Sequence, residues 1–152
     1  MTGTPHAAAY LADLTERMGR LLDENAGSIA AAADAVERTA RADGLVYIFG
    51  TGHSHMIAEE AHYRAGGLAL TVPIRCSTTM PHEGAVAGTS FERTPGVVKA
   101  ILDRYPIGAR DVLTIVSNSG VNTAIVEAAQ IGRARGAAVI AITSEAYSRQ
   151  AA

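Results

Sequence analysis

Residues 45–55 read LVYIFGTGHSH, and this stretch decides the class of fold. Leu45–Phe49 is a continuous apolar run, β-branched and aromatic, without polar alternation; that is the pattern of a strand buried on both faces. Gly50 stops it, and His53–Ala65 reads as a helix closed by Gly66 and Gly67. A strand that turns through glycines into a helix is the first half of a parallel βαβ unit.

Working towards the C-terminus, Leu68–Val72 (LALTV) is a second strand, stopped by Pro73. Residues 74–96 have no clean period and are rich in Ser, Thr, Gly and Pro; a loop of that length inside a compact domain is usually functional. Val97–Tyr105 reads as a short helix and Val112–Val116 (VLTIV) as a third strand. Ser117–Gly120 breaks the chain. Val121–Arg135 is then a helix with Ile125, Ala128, Ala129 and Gly132 on its inner face, and Ala137–Ile142 is a fourth strand. The predicted fold is α/β, a three-layer α/β/α sandwich with a parallel, doubly wound, flavodoxin-like sheet. The remaining residues, TSEAYSRQAA, read as a polar tail, whereas such a sheet is expected to continue. Either a partner supplies the edge, or the chain is part of a longer protein.

Towards the N-terminus two helices are expected. Tyr10, Leu11, Leu14, Met18, Leu21 and Leu22 recur at helical spacing. Asn25 or Ser28 then offers a cap for a second helix, with Ile29, Ala33, Val36 and Ala40 as its thin apolar stripe and Gly44 as its end. The organisation is thus a helical segment over 1–43, packing on the domain or on a partner subunit, and a ligand-binding domain over 44–152.

Composition narrows the function. The 152 residues are 48% hydrophobic and 18% charged with a net charge of −2, which excludes wholesale disorder and lacks the basic footprint of a nucleic-acid binder. Two Phe, five Tyr and no Trp leave little for stacking on bases or unmodified sugars. The single Cys76, read as a small core filler, cannot form an internal disulfide. No basic leader or membrane-length apolar run is present, so a cytoplasmic setting without membrane contact is expected.

Two strand-to-helix loops carry the chemistry. The first is Gly50-Thr51-Gly52-His53-Ser54-His55, and the second is Ser117-Asn118-Ser119-Gly120-Val121-Asn122-Thr123. In an open α/β sheet, ligands bind beyond the carboxyl ends of the strands. Glycines let backbone approach an anion, and hydroxyls and amides can ring a phosphate with neutral donors. Either loop alone is also what ordinary helix capping looks like; two such loops after two strands favour a phosphate site. GTGHSH lacks the third glycine of a dinucleotide fingerprint and no acidic residue follows the second strand, so NAD is not expected; there is no G-K-[ST], which excludes a P-loop. His53, His55, His62 and His82 lack the usual spacing of a metal site, and neither metal nor cofactor is expected.

GTGHSHMIAEE after the first strand and SNSGVNT after the third resemble the sugar isomerase (SIS) domain. The chain is most similar to bacterial sugar-isomerase-domain proteins near the phosphoheptose isomerases. The resemblance runs from about Leu11 to the C-terminus and includes MPHEGA (80–85), FERTPG (91–96) and AITSEAYSR. It implies a phosphorylated sugar as ligand, held at its phosphate by Ser117, Ser119 and the Asn122/Thr123 turn, with Thr51 and Ser54 closing the site. It also implies a further strand and helix beyond this chain's end. The phosphoheptose isomerases carry a glutamate ten residues after the first-loop serine, where this chain has Arg64. Their catalytic histidine lies in a C-terminal region that this chain lacks.

Aldose–ketose isomerisation needs a base for the proton alpha to the carbonyl and an acid for the oxygen. The residues at hand are His53, His55, Glu59, Glu60, His82 and Glu83. Glu83 is the expected base, against the alternative of a solvated loop carboxylate, and His82 or His55 the acid or hydroxyl-binding group. Of Glu59 and Glu60, one reads as a surface charge; the other, taken as Glu60, faces the sugar or pairs with Arg64. Substrate contacts are expected from Thr51, Gly52, His53, Ser54, Glu60, Ser117, Asn118, Ser119, Gly120, Asn122 and Thr123. The leading expectation is a sugar-phosphate isomerase working through an enediol, as a homodimer or homotetramer. The rivals are a phosphosugar sensor without turnover and, third, an assembly partner that completes another chain's sheet.

Overall fold

A computed structural model describes residues 5–151, which form two compact units, one ending at Asp34 and the other beginning at Ala35. The first unit is helical. In place of the two expected helices, a single helix α1 (Pro5–Arg41) runs unbroken through residues 25–28. Asn25 does not cap a new helix; its amide donates back to the Leu21 carbonyl at 3.0 Å, a bond that an interior helical position allows. Gly27 costs an interior helix position about 1 kcal/mol, too little to stop a run flanked by alanines. Along the first unit Tyr10, Leu11, Leu14, Met18, Leu21, Leu22 and Ile29 are all exposed.

The second unit is an α/β/α sandwich around four parallel strands, β1 (Val46–Gly50), β2 (Thr71–Ile74), β3 (Val112–Val116) and β4 (Ala138–Ile142), in the order β2-β1-β3-β4. Alternation along β1 explains the three layers. Tyr47 and Phe49 face a core shared with Val98, Leu102, Leu113, Ile115 and Ile125, whereas Val46 and Ile48 face Ala35, Ala58, Val112 and Val116. The first core is covered by α4 (Val97–Leu102) and α5 (Thr123–Ala134), the second by the end of α1 and by α2 (His55–Ala61).

Several boundaries differ from the sequence reading, for local reasons. Pro73 does not stop β2 but sits within it, opposite Ile48; β2 is an edge strand, where a missing N–H is tolerated. The helix after β1 splits into a 3₁₀ turn (Gly52–Ser54) and the short α2, and the chain leaves it at His62 and Tyr63, the latter with φ +50°. The irregular stretch 74–96 holds two 3₁₀ turns and a helix, α3 (Ala85–Phe91). The tail after β4 is not irregular but contains α6 (Glu145–Ala151). β4 itself is largely exposed, as an edge strand, not buried on both faces as its apolar sequence suggested. Among the described residues no helix is long and apolar enough to cross a membrane.

Hydrogen bonds hold α4 and α5 together at their far ends. Arg135 donates to the Leu102 carbonyl at 2.9 Å and to Asp103 at 2.6 Å. The Lys99 ammonium, 2.6 Å from Asp103, and then Arg135 hold the Asp103 carboxyl below the usual carboxylate range.

Candidate functional site

The chain leaves β1 towards β2 on one side and returns to β3 on the other, so the carboxyl ends of β1 and β3 are the switch point of the sheet. A crevice opens at such a point because the two connections depart in opposite directions. The two loops singled out in the sequence leave from those two strand ends.

The first loop is built tightly. A Cβ on Gly50 would lie 2.7 Å from the backbone carbon and oxygen of Ser54, so only glycine lets the 3₁₀ turn fold back over the end of β1. Thr51 is buried, and its hydroxyl donates to Glu92 at 2.8 Å. Gly52 takes φ +53°, His53 is exposed, and Ser54 is half-buried.

In the second loop the outer surface is tied down and the inner surface is left free. Ser117 is buried, and its hydroxyl accepts the Gly120 amide at 3.0 Å, closing a turn in which Gly120 has φ +69°. From behind, the Asn118 carbonyl accepts the Ser144 amide at 3.2 Å, and the Ser119 carbonyl accepts the Ser148 hydroxyl at 2.7 Å. With the carbonyls held this way, the amides of Asn118, Ser119, Val121, Asn122 and Thr123 find no acceptor among the described residues, nor do the side chains of Ser119, Asn122 and Thr123. Successive unpaired amides around a left-handed glycine, at the head of a twelve-residue helix, can cradle an anion.

The expected acid–base residues separate into different environments. His55 is 1% exposed and spends both ring nitrogens inside the protein. Nδ1 meets the Gly52 carbonyl, which can only accept, so neutral His55 carries its proton there. Its Nε2 then accepts from Nε2 of His82 at 3.1 Å, with the two rings edge to face, 5.0 Å between centroids. His82 is exposed beyond this bond. Glu59 lies 3.8 Å from His55 Nε2 and pairs with Arg75 at 2.8 Å. Glu60 is exposed on α2 and pairs with Arg64, one of the two alternatives that the sequence allowed. Glu83 is exposed and makes no side-chain bond among the described residues. Among the described residues no three His, Cys, Asp or Glu side chains are grouped to hold a metal ion.

Sequence reasoning missed Glu92 and Ser148. Glu92 joins the first loop to the helix that follows the second, accepting the Thr51 hydroxyl with its carboxylate and the Ala124 amide, in the first turn of α5, with its main-chain carbonyl at 2.9 Å. Both residues lie in stretches that carried the family resemblance, FERTPG and AITSEAYSR, and that alone marked them. A cleft of about 220 Å³ opens beside Gly52 and His53, walled by Thr79, Pro81, Gly88 and Glu92. A second groove, of about 280 Å³ and mostly apolar, runs from Ser117 and Gly120 between α5 and β4.

The chain matches the SIS domain family over residues 9–144. It is 58% identical over 139 residues to UPF0309 proteins of Brucella ovis and Brucella canis, an alignment that takes in 91% of this chain and 57% of theirs. The chain therefore spans little more than half the length of the curated relatives it matches. Its backbone is similar to the structure of phosphoheptose isomerase GmhA from Neisseria gonorrhoeae, with a TM-score of 0.70 and 21% identity, covering 96% of this chain and 78% of that one.

Proposed function

Because the chain belongs to the SIS domain family, we propose that it binds a phosphorylated sugar in the crevice between β1 and β3 and interconverts its aldose and ketose forms through an enediol. The observation that carries this reading is the second loop, with its unpaired amides and the free side chains of Ser119, Asn122 and Thr123. Five amide N–H groups and three side chains able to donate, at one helix head, suit a phosphate dianion, and no Lys or Arg is needed. The sugar extends from there towards Thr51, His53 and Ser54. A carboxylate then moves the proton between neighbouring carbons, and an imidazole serves the oxygen. The single cysteine, Cys76, fits a reducing cytoplasm as the setting.

The test is a thermal-shift series of the whole chain against sugar phosphates, with Ser119→Ala alongside. A ligand at 100-fold excess over its dissociation constant stabilises the native state by about 2.7 kcal/mol. Ser119→Ala removes one hydrogen bond to a charged group and is expected to weaken phosphosugar binding roughly 10- to 100-fold with the unliganded melting temperature unchanged. A shift that survives Ser119→Ala undiminished puts the phosphate elsewhere.

A sensor without turnover is the second reading. What favours it is Arg64, engaged with Glu60 where the phosphoheptose isomerases have their glutamate. Absence of solvent-deuterium exchange alpha to the carbonyl of a ligand that binds would select it. We further propose self-association through α1, where Leu11, Leu14, Met18, Leu21 and Leu22 form an exposed apolar stripe. Leu14→Glu with Leu21→Glu is expected to reduce the sedimentation coefficient to that of a monomer; an unchanged coefficient rejects the stripe as the interface.

A further inference from the structure

We infer that Glu92 reads the polyol end of the ligand, accepting sugar hydroxyls in the 220 Å³ cleft beside the first loop. The inference rests on the phosphate reading of the second loop and adds to it the group that distinguishes a sugar phosphate from phosphate alone. Three observations lead to it.

Glu92 is half-buried and lines the cleft together with Gly52, His53, Thr79, Pro81 and Gly88. Its Oε2 is fixed by the buried Thr51 hydroxyl at 2.8 Å, so the carboxylate is oriented before any ligand arrives. Its Oε1 makes no bond among the described residues. Its main-chain carbonyl is bonded to Ala124 at the head of α5, so the residue stands at the flank of the phosphate cradle itself. A sugar phosphate held by the second loop and extending towards the first would meet an oriented acceptor there. Glu83, in contrast, is exposed and has nothing to orient it.

A carboxylate with a free oxygen accepts charge-assisted hydrogen bonds from one or two vicinal hydroxyls, whereas inorganic phosphate brings it chiefly like charge. The inference therefore predicts a divergence between two ligands. In calorimetric titrations of the whole chain, inorganic phosphate is compared with glucose 6-phosphate, fructose 6-phosphate, ribose 5-phosphate and N-acetylglucosamine 6-phosphate. At least one sugar phosphate is expected to bind ten-fold or more tightly than inorganic phosphate. Glu92→Gln keeps an acceptor for Thr51 but loses the charge, and Glu92→Ala loses both. Each is expected to abolish the sugar advantage and to leave inorganic phosphate binding the same or slightly tighter, which also reports that the variants are folded.

The inference is overturned if the sugar advantage survives both substitutions, or if inorganic phosphate binds the native chain and no sugar phosphate binds better. The latter result leaves the phosphate cradle standing. If neither phosphate nor any sugar phosphate binds, the cradle reading falls and takes this inference with it.

Discussion

Gly50→Ala lowers the stability of the protein by about 3 kcal/mol and removes ligand binding with it. The cause is steric and local. The added methyl carbon would sit 2.7 Å from the Ser54 carbonyl carbon and oxygen and 2.9 Å from Ser54 Cβ. Two of these three atoms are backbone, so no rotamer relieves the contact, and the 3₁₀ turn Gly52–Ser54 must move away from the strand. Overpacking of a close-fitted site costs about 1–3 kcal/mol. Displacement of the turn adds the hydrogen bonds that depend on it, from Thr51 to Glu92 and from His55 to Gly52. Gly50 also closes the register of β1 with β3, opposite Val116, so the displaced turn shifts the first loop relative to the second. Urea unfolding followed by circular dichroism measures the first effect, expected as a lower midpoint at unchanged slope. An unfolding free energy within about 0.5 kcal/mol of the native chain's means that the loop accommodates a side chain and that its glycine is there for another reason.

The contrast between Gly50 and Glu92 shows what the sequence made legible. Local pattern located the strands β1 and β3, because runs buried on both faces leave a signal that needs no knowledge of their neighbours. The same reasoning located both loops, since glycines and small polar residues mark the break between strand and helix. Pro73 within β2 and the exposure of β4 were illegible, because edge position is a property of strand order, which the run itself does not encode. Asn25 misled for a related reason: its side chain can cap a helix or bond back to the preceding turn, and only the structure decides between them. Glu92 was hidden because its partners Thr51 and Ala124 lie 41 and 32 residues away in the chain. His55 and His82 were both named as acid–base candidates, yet their mutual bond, which engages both Nε2 atoms, has no trace in the spacing.

That bond leads to a second large effect. His55→Ala is expected to cost about 3 kcal/mol, and His82→Ala only about 1 kcal/mol, although the two rings share one hydrogen bond. The asymmetry follows from burial. His55 is 1% exposed, so truncation leaves a cavity and removes the ring N–H that the Gly52 carbonyl accepts beside the His55 main-chain amide. His82 lies at the surface, where water replaces what is lost. His55→Asn can return an N–H donor to the Gly52 carbonyl and should recover about 1 kcal/mol of the loss. A double-substitution cycle with His82→Ala then isolates the ring–ring bond, expected at about 1 kcal/mol. Hydrogen exchange across residues 80–84 should quicken in either single variant, because that bond is what ties this turn to the first loop. If His55→Ala instead leaves the unfolding midpoint intact and abolishes exchange of the sugar's alpha proton, His55 is a chemical group. It then acts on the ligand directly and does not serve as the pin between the two turns.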